Sequence, residues 1–120
     1  MERDHVAISW GRTVVSKHGN FRDAMVYPNG ACEWDWRKSN THHVPGIQLV
    51  DIEFLLNNGC DQIVLSRGMQ LVLQTDAATI DFLTRAVIPF FIEESSRAVE
   101  LFNHLRDSGI RVGALLHSTC

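Results

Sequence analysis

Gln62-Ile63-Val64-Leu65-Ser66-Arg67-Gly68-Met69 is the stretch that decides how this chain folds. Ile63-Val64-Leu65 is an unbroken apolar run, too short for a buried helix and bracketed by Gly59 and Gly68. Such a run reads as a strand covered on both faces, here Gln62–Ser66. Two further strands are expected downstream, at Ile88–Ile92 and Arg111–Leu116. Pro89 confines the first of these to a strand start or a sheet edge, because proline has no N–H to give the ladder.

Helical patterns separate the strands. Ala77–Arg85 follows the capping residues Thr75 and Asp76, either of which can start it. A longer helix begins at Ser95 or Ser96, places Ala98, Leu101, Phe102 and Leu105 on one stripe, and ends at Gly109. Upstream, Asp51–Asn58 sets Ile52, Leu55 and Leu56 on one face, and Gly59 stops it. Strands joined by helical crossovers are parallel neighbours with right-handed connections.

The first half reads differently. His5–Trp10 and Arg12–Lys17 are short strands parted by Gly11, and His18-Gly19-Asn20 makes a turn. Arg22–Tyr27 and Ala31–Arg37 flank Pro28-Asn29-Gly30, a hairpin signal because Asn and Gly accept the positive φ such turns need. On the second strand Trp34 and Trp36 should share one face, most simply a core face, and Asp35 and Arg37 the other. Residues 38–47 are a polar loop that ends in Val44-Pro45-Gly46. The fold class is therefore α/β, with a parallel βαβαβ carboxyl-terminal half in a mixed sheet and antiparallel amino-terminal strands that extend or cap it. Residues 1–120 form one domain on this reading, since no linker or repeat divides them.

Composition narrows the function. Eleven basic and fourteen acidic residues leave a net charge of −3, evenly spread and without a basic block, so nucleic acid is not an expected partner. Met1-Glu2-Arg3-Asp4-His5 has no apolar signal core and no run is long enough to span a bilayer, so a membrane is not expected either. Cys32, Cys60 and Cys120 are odd in number and far apart, which points to free thiols and a cytoplasmic setting.

Trp34-Asp35-Trp36-Arg37, His43-Val44-Pro45-Gly46, Arg67-Gly68-Met69 and the run from Gly113 into His117-Ser118-Thr119-Cys120 together resemble a family of small proteins. That family includes the adipogenesis-associated protein of vertebrates, archaeal and bacterial relatives and, more distantly, a mitochondrial respiratory complex I assembly factor. The resemblance runs from Trp10-Gly11 to Cys120 and implies a compact mixed α/β fold and an intracellular location, in a family with no established enzymatic activity or cofactor. The chain departs from the family pattern at Ser66, often glycine there, and at Ala86-Val87-Ile88-Pro89, often Gly-Ile.

Candidate site residues gather where the first buried strand ends, the position where open α/β sheets bind ligands. Ser66 offers a hydroxyl, Arg67 a donor fork, and Gly68 close approach to the backbone, with Met69 beyond. The plainer reading, a turn whose arginine faces solvent or pairs with a neighbouring acid, is preferred. His117 and Cys120 should lie at the same edge, and His43 can reach it from the Pro-Gly loop. Against a thiol nucleophile stand three points: an extended strand turns positions 117 and 120 to opposite faces, a terminal carboxylate opposes a thiolate, and no acid is identifiable to orient the histidine. No metal is expected, because neither Cys-x-x-Cys nor His-Glu-x-x-His occurs. The expectation is a non-catalytic protein that binds a protein partner as an interaction or assembly module, without a cofactor. Its competitor is a small-anion-binding protein or enzyme using Ser66-Arg67-Gly68 with His117.

Overall fold

The computed structural model describes residues 5–120; Met1–Asp4, which bear on the targeting signal, lie outside the described residues. Two sheets form. Val6–Ser9 (β1), Arg12–Val15 (β2) and Gly19–Phe21 (β3) make an antiparallel sheet in sequence order. The second sheet has the order β5-β4-β8-β6-β7, built from Ala24–Tyr27 (β4), Gly30–Glu33 (β5), Gln62–Ser66 (β6), Phe90–Glu93 (β7) and Val112–Leu116 (β8).

β6 lies between β7 and β8 and is parallel to both, with Val64 opposite Phe91 on one side and Ala114 on the other. β4 pairs antiparallel with β8 and with β5, so the amino-terminal hairpin extends the sheet while β1–β3 stand apart from it. Alternation sorts the side chains by face. Ile63 and Leu65 join Leu115, Ile52, Leu55 and Leu83 in one buried cluster, while Val64 joins Ala114, Leu116, Ala98 and Phe102 in the other. A strand buried on both faces needs apolar residues at successive positions, which is what Ile63-Val64-Leu65 supplies.

The helices cover the faces as one connection hand demands. Ala77–Arg85 (α3) carries the chain outward from β6 to β7, and Ser95–Asp107 (α4) carries it back across β6 to β8. Opposite directions of travel with the same hand put the two helices on opposite faces. Leu83 of α3 accordingly lies in one cluster, and Ala98, Val99 and Phe102 of α4 in the other. Leu49–Asn57 (α2) shares the face of α3 through Ile52 and Leu55.

Caps explain the helix starts. Asp76 accepts from the Ala78 N–H, so α3 begins where the sequence indicates. α4 starts at Ser95, yet its cap is Glu94, whose carboxylate accepts from Ser96 and Arg97 N–H groups. α2 starts two residues earlier than expected, because Asp51 reaches back to the Gln48 N–H at 3.0 Å from the helix's third position. Asn103 on α4 both accepts from and donates to the Val6 backbone at 2.9 Å, which ties β1 to the helix.

Three expectations require correction. The strand expected over Ala31–Arg37 stops at Glu33, and Trp36–Ser39 is a short helix (α1). Asp35 caps it through the Arg37 N–H and pairs with the Arg37 guanidinium at 3.0 Å, so Trp34 and Trp36 do not alternate on a strand. Trp34 is nonetheless buried and donates to Asp51 at 3.0 Å. Gly19-Asn20-Phe21, expected partly as a turn, pairs with β2. The strand expected at Ile88–Ile92 is shifted to Phe90–Glu93, an edge strand with Pro89 just before its start.

Candidate functional site

The parallel strands β6 and β8 end together, and the chain leaves β8 after Leu116 as an irregular tail, residues 117–120. The tail is tied down on every side. The His117 N–H donates to Ser66 Oγ at 2.8 Å, and Ser95 Oγ donates to the His117 carbonyl at 2.5 Å. Met69 N–H donates to the Thr119 carbonyl at 2.7 Å, Val72 N–H to Cys120 at 3.1 Å, and Gly11 N–H to Ser118 at 2.9 Å. Gly68 makes this approach possible. Its φ is +79°, and a Cβ there would stand 2.3 Å from the Cys120 carbonyl.

Asp23, at the turn before β4, anchors the tail from the other side. One carboxylate oxygen lies 2.9 Å from His117 Nδ1, and the other accepts from the Ser118 N–H at 2.8 Å. Asp23, His117 and Ser118 are all buried. The acid that the sequence did not identify is therefore present. No spacing rule finds it, since 94 residues separate Asp23 from His117.

His117 Nε2 faces His43 Nε2 at 3.4 Å, and His43 Nε2 lies 3.2 Å from Cys120 Sγ. Thr119 Oγ1 is 3.3 Å from His117 Nε2. The expectation that positions 117 and 120 point apart is corrected, because the tail is no longer a strand and both side chains turn toward His43. His43 reaches them from a loop held by its own carbonyl, which accepts from the Gln74 N–H at 2.9 Å. Trp36 of α1 packs on both imidazoles, with ring centroids 4.7 Å from His117 and 5.0 Å from His43. Burial, and then the neighbouring His117, hold the His43 imidazole below its ordinary range. His43, His117 and Cys120 offer donor atoms all within 4.8 Å of one another, of the types that bind a metal ion.

The other expected site residues serve this assembly. Ser66 is fully buried and engaged with His117. Arg67 spends its N–H on Glu93 and its guanidinium on the Leu71 carbonyl at 3.1 Å. The Arg67 and Met69 N–H groups are committed inside the chain, to the Glu93 and Thr119 carbonyls. Cys32, Cys60 and Cys120 are free thiols, and burial pushes the Cys60 thiol up to about 12. A separate cleft of about 230 Å³ lies between β5 and α2, lined by Met25, Cys32, Trp34, Val50 and Phe54 among others.

A mixed sheet with a crossover helix on each face, a separate three-stranded sheet and a tail folded back at the carboxyl ends of its central strands defines a small α/β class. The chain belongs to the family of proteins of unknown function DUF498/DUF598, whose pattern matches residues 6–117. Solved structures share the fold at low identity. The conserved hypothetical protein PH1505 from Pyrococcus horikoshii OT3 is 18% identical with a TM-score of 0.78, over the whole of both chains. The protein MT938 is 20% identical with a TM-score of 0.76, over 98% of this chain and all of its own. An outer membrane protein from Bartonella henselae is 21% identical with a TM-score of 0.75, over 98% of this chain and 97% of its own. Among the described residues, no helix is long and apolar enough to cross a membrane.

Proposed function

We propose that this chain acts by binding a protein partner, as a non-catalytic interaction or assembly module of the cytoplasm, through the face at the carboxyl ends of β6 and β8. The observation that carries the reading is the set of exposed apolar side chains around the tail. Val44 is 71% exposed, Trp10 57%, Leu71 45% and Val72 40%. Each stands on a segment hydrogen-bonded to the tail or adjoining His43: Gly11 and Val72 bond tail carbonyls, and Val44 follows His43. Apolar surface grouped at one end of a small domain marks a contact face, whereas scattered residues do not.

The chemistry of the face states what fits it. Residues 43–46, 67–74 and 118–120 carry a single formal side-chain charge, that of Arg67. The partner surface that fits it is accordingly apolar and hydrogen-bonding, with few charges. Leu71 adds a second indication, because it holds a left-handed φ of +62° while exposed. Such a conformation costs about 1–3 kcal/mol and concentrates at binding sites. The resemblance to an adipogenesis-associated protein and to an assembly factor of respiratory complex I supports the same reading.

The test pairs two variants. Val44→Asp combined with Leu71→Asp places charge on the face, and Asp tolerates the left-handed region at position 71. Val87→Asp places charge at the opposite end of the sheet, where Val87 is 84% exposed ahead of β7. A partner retained by the wild-type chain and by Val87→Asp should be lost from the double variant, with melting of the double variant little changed. Equal capture by all three chains would overturn the reading.

A further inference from the structure

We propose that His43, His117 and Cys120 form a binding site for one zinc-type divalent transition-metal ion. The site does not depend on the docking reading, because all three of its protein ligands come from a single chain. Two imidazole nitrogens bound at about 2.0–2.1 Å to one tetrahedral cation stand about 3.4 Å apart. His43 Nε2 and His117 Nε2 are 3.4 Å apart, and Cys120 Sγ lies 3.2 Å from His43 Nε2. All three donor atoms fall within 4.8 Å of one another. Thiolate with imidazole is a donor set that selects zinc and its neighbours over magnesium or calcium.

The surroundings are those a metal-binding histidine uses. Asp23 holds His117 by Nδ1 at 2.9 Å, which fixes the tautomer and leaves the Nε2 lone pair facing the site. Trp36 packs against both rings and restricts their tilt. Two facing Nε2 atoms require a proton between them, and a cation replaces that proton while accepting both lone pairs. Thr119 Oγ1, 3.3 Å from His117 Nε2, gives up that contact on binding. The Cys120 thiol releases its proton to solvent as sulfur bonds the metal, so a dication meets one thiolate and the nearby Asp23 carboxylate. The fourth coordination position is left to water or to an outside donor.

His117-x-x-Cys120 supplies two ligands from one tail, and His43 arrives from a loop 74 residues away, which is why no sequence motif announces the site.

Titration of the metal-free full chain with Co²⁺ tests the site. One equivalent should produce intense d–d bands of tetrahedral cobalt and a sulfur-to-cobalt charge-transfer band, and one equivalent of Zn²⁺ should abolish both. Cys120→Ser should lose the charge-transfer band, and His43→Gln should weaken cobalt binding at least about 10-fold. Asp23→Asn should weaken it by about 10- to 100-fold, as loss of an outer-shell carboxylate does. If Asp23→Asn fails to fold, His43→Gln decides alone, since His43 lies on a loop and is only half-buried. No saturable cobalt binding, or binding without a sulfur band, would overturn the proposal. So would binding left unchanged by both Cys120→Ser and His43→Gln.

Discussion

Asp23→Ala should cost folding stability about 1–3 kcal/mol for each of the two buried donors it leaves without an acceptor. The size follows from what the carboxylate satisfies. It accepts from His117 Nδ1 and from the Ser118 N–H, and both would be left buried without an acceptor. Asp23 is also the stitch between the turn before β4 and the tail after β8. Its loss therefore loosens the site itself as well as the fold. Chemical denaturation is the measurement, with Asp81→Ala as the comparison. Asp81 pairs with Arg85 on the exposed face of α3 at 3.0 Å, and such pairs contribute about 0.3–0.5 kcal/mol. Equal losses in the two variants would mean that Asp23 does not hold the tail.

Gly68→Ala should be the second severe change, and its comparison is Gly109→Ala. Both glycines have positive φ, +79° and +86°, so both substitutions pay the left-handed cost of about 1 kcal/mol. They differ in space. An added Cβ at Gly109 meets nothing within 4 Å, whereas at Gly68 it meets the Cys120 carbonyl at 2.3 Å and His117 Cδ2 at 3.0 Å. Backbone cannot swing aside as a flexible side chain does, so the tail must move. The Met69 and Val72 hydrogen bonds to it go with the movement. Overpacking of this kind adds about 1–3 kcal/mol to the backbone cost. A melting difference between the two variants of less than a few degrees would contradict the close approach.

Much of the fold was legible in the residues because local signals agreed with tertiary demand. Ile63-Val64-Leu65 could only be a strand covered on both faces, and Asp76 capped α3 where the apolar pattern began. Disagreement arose where one side chain outweighed a pattern. Asp35 bonding the Arg37 N–H turned an apparent alternation of tryptophans into the start of α1. β3 was hidden for another reason: Gly19-Asn20-Phe21 is a strand only because β2 lies beside it.

The site was half legible. Ser66, Arg67, Gly68, Met69, His43, His117 and Cys120 were all placed near one strand end, and in the structure they do lie together. What the sequence concealed was how they combine. Ser66 and Gly68 shape the tail, while Arg67 braces the 67–71 turn. Asp23 and Trp36, which orient the imidazoles, come from elements with no local mark of that role. An acid in the turn before an apolar strand, as in Arg22-Asp23-Ala24-Met25-Val26, is the nearest thing to a signal, because a carboxylate there must find a buried donor.

That His43 and His117 meet with Cys120 in one half-buried assembly is the central geometric claim about this fold. Following the His43 ring proton by NMR through pH, with His43→Gln to assign it, tests this directly. Burial first and the neighbouring His117 second, opposed by Asp23, should bring its titration below the ordinary imidazole value of 6.5. The unfolded chain then binds more protons than the folded one over that window. The His43 contribution to stability is therefore complete above the ordinary imidazole value and declines as the pH falls toward the lowered one. A His43 that titrates at or above 6.5, with stability flat or rising as the pH falls through this window, would contradict the assembled site.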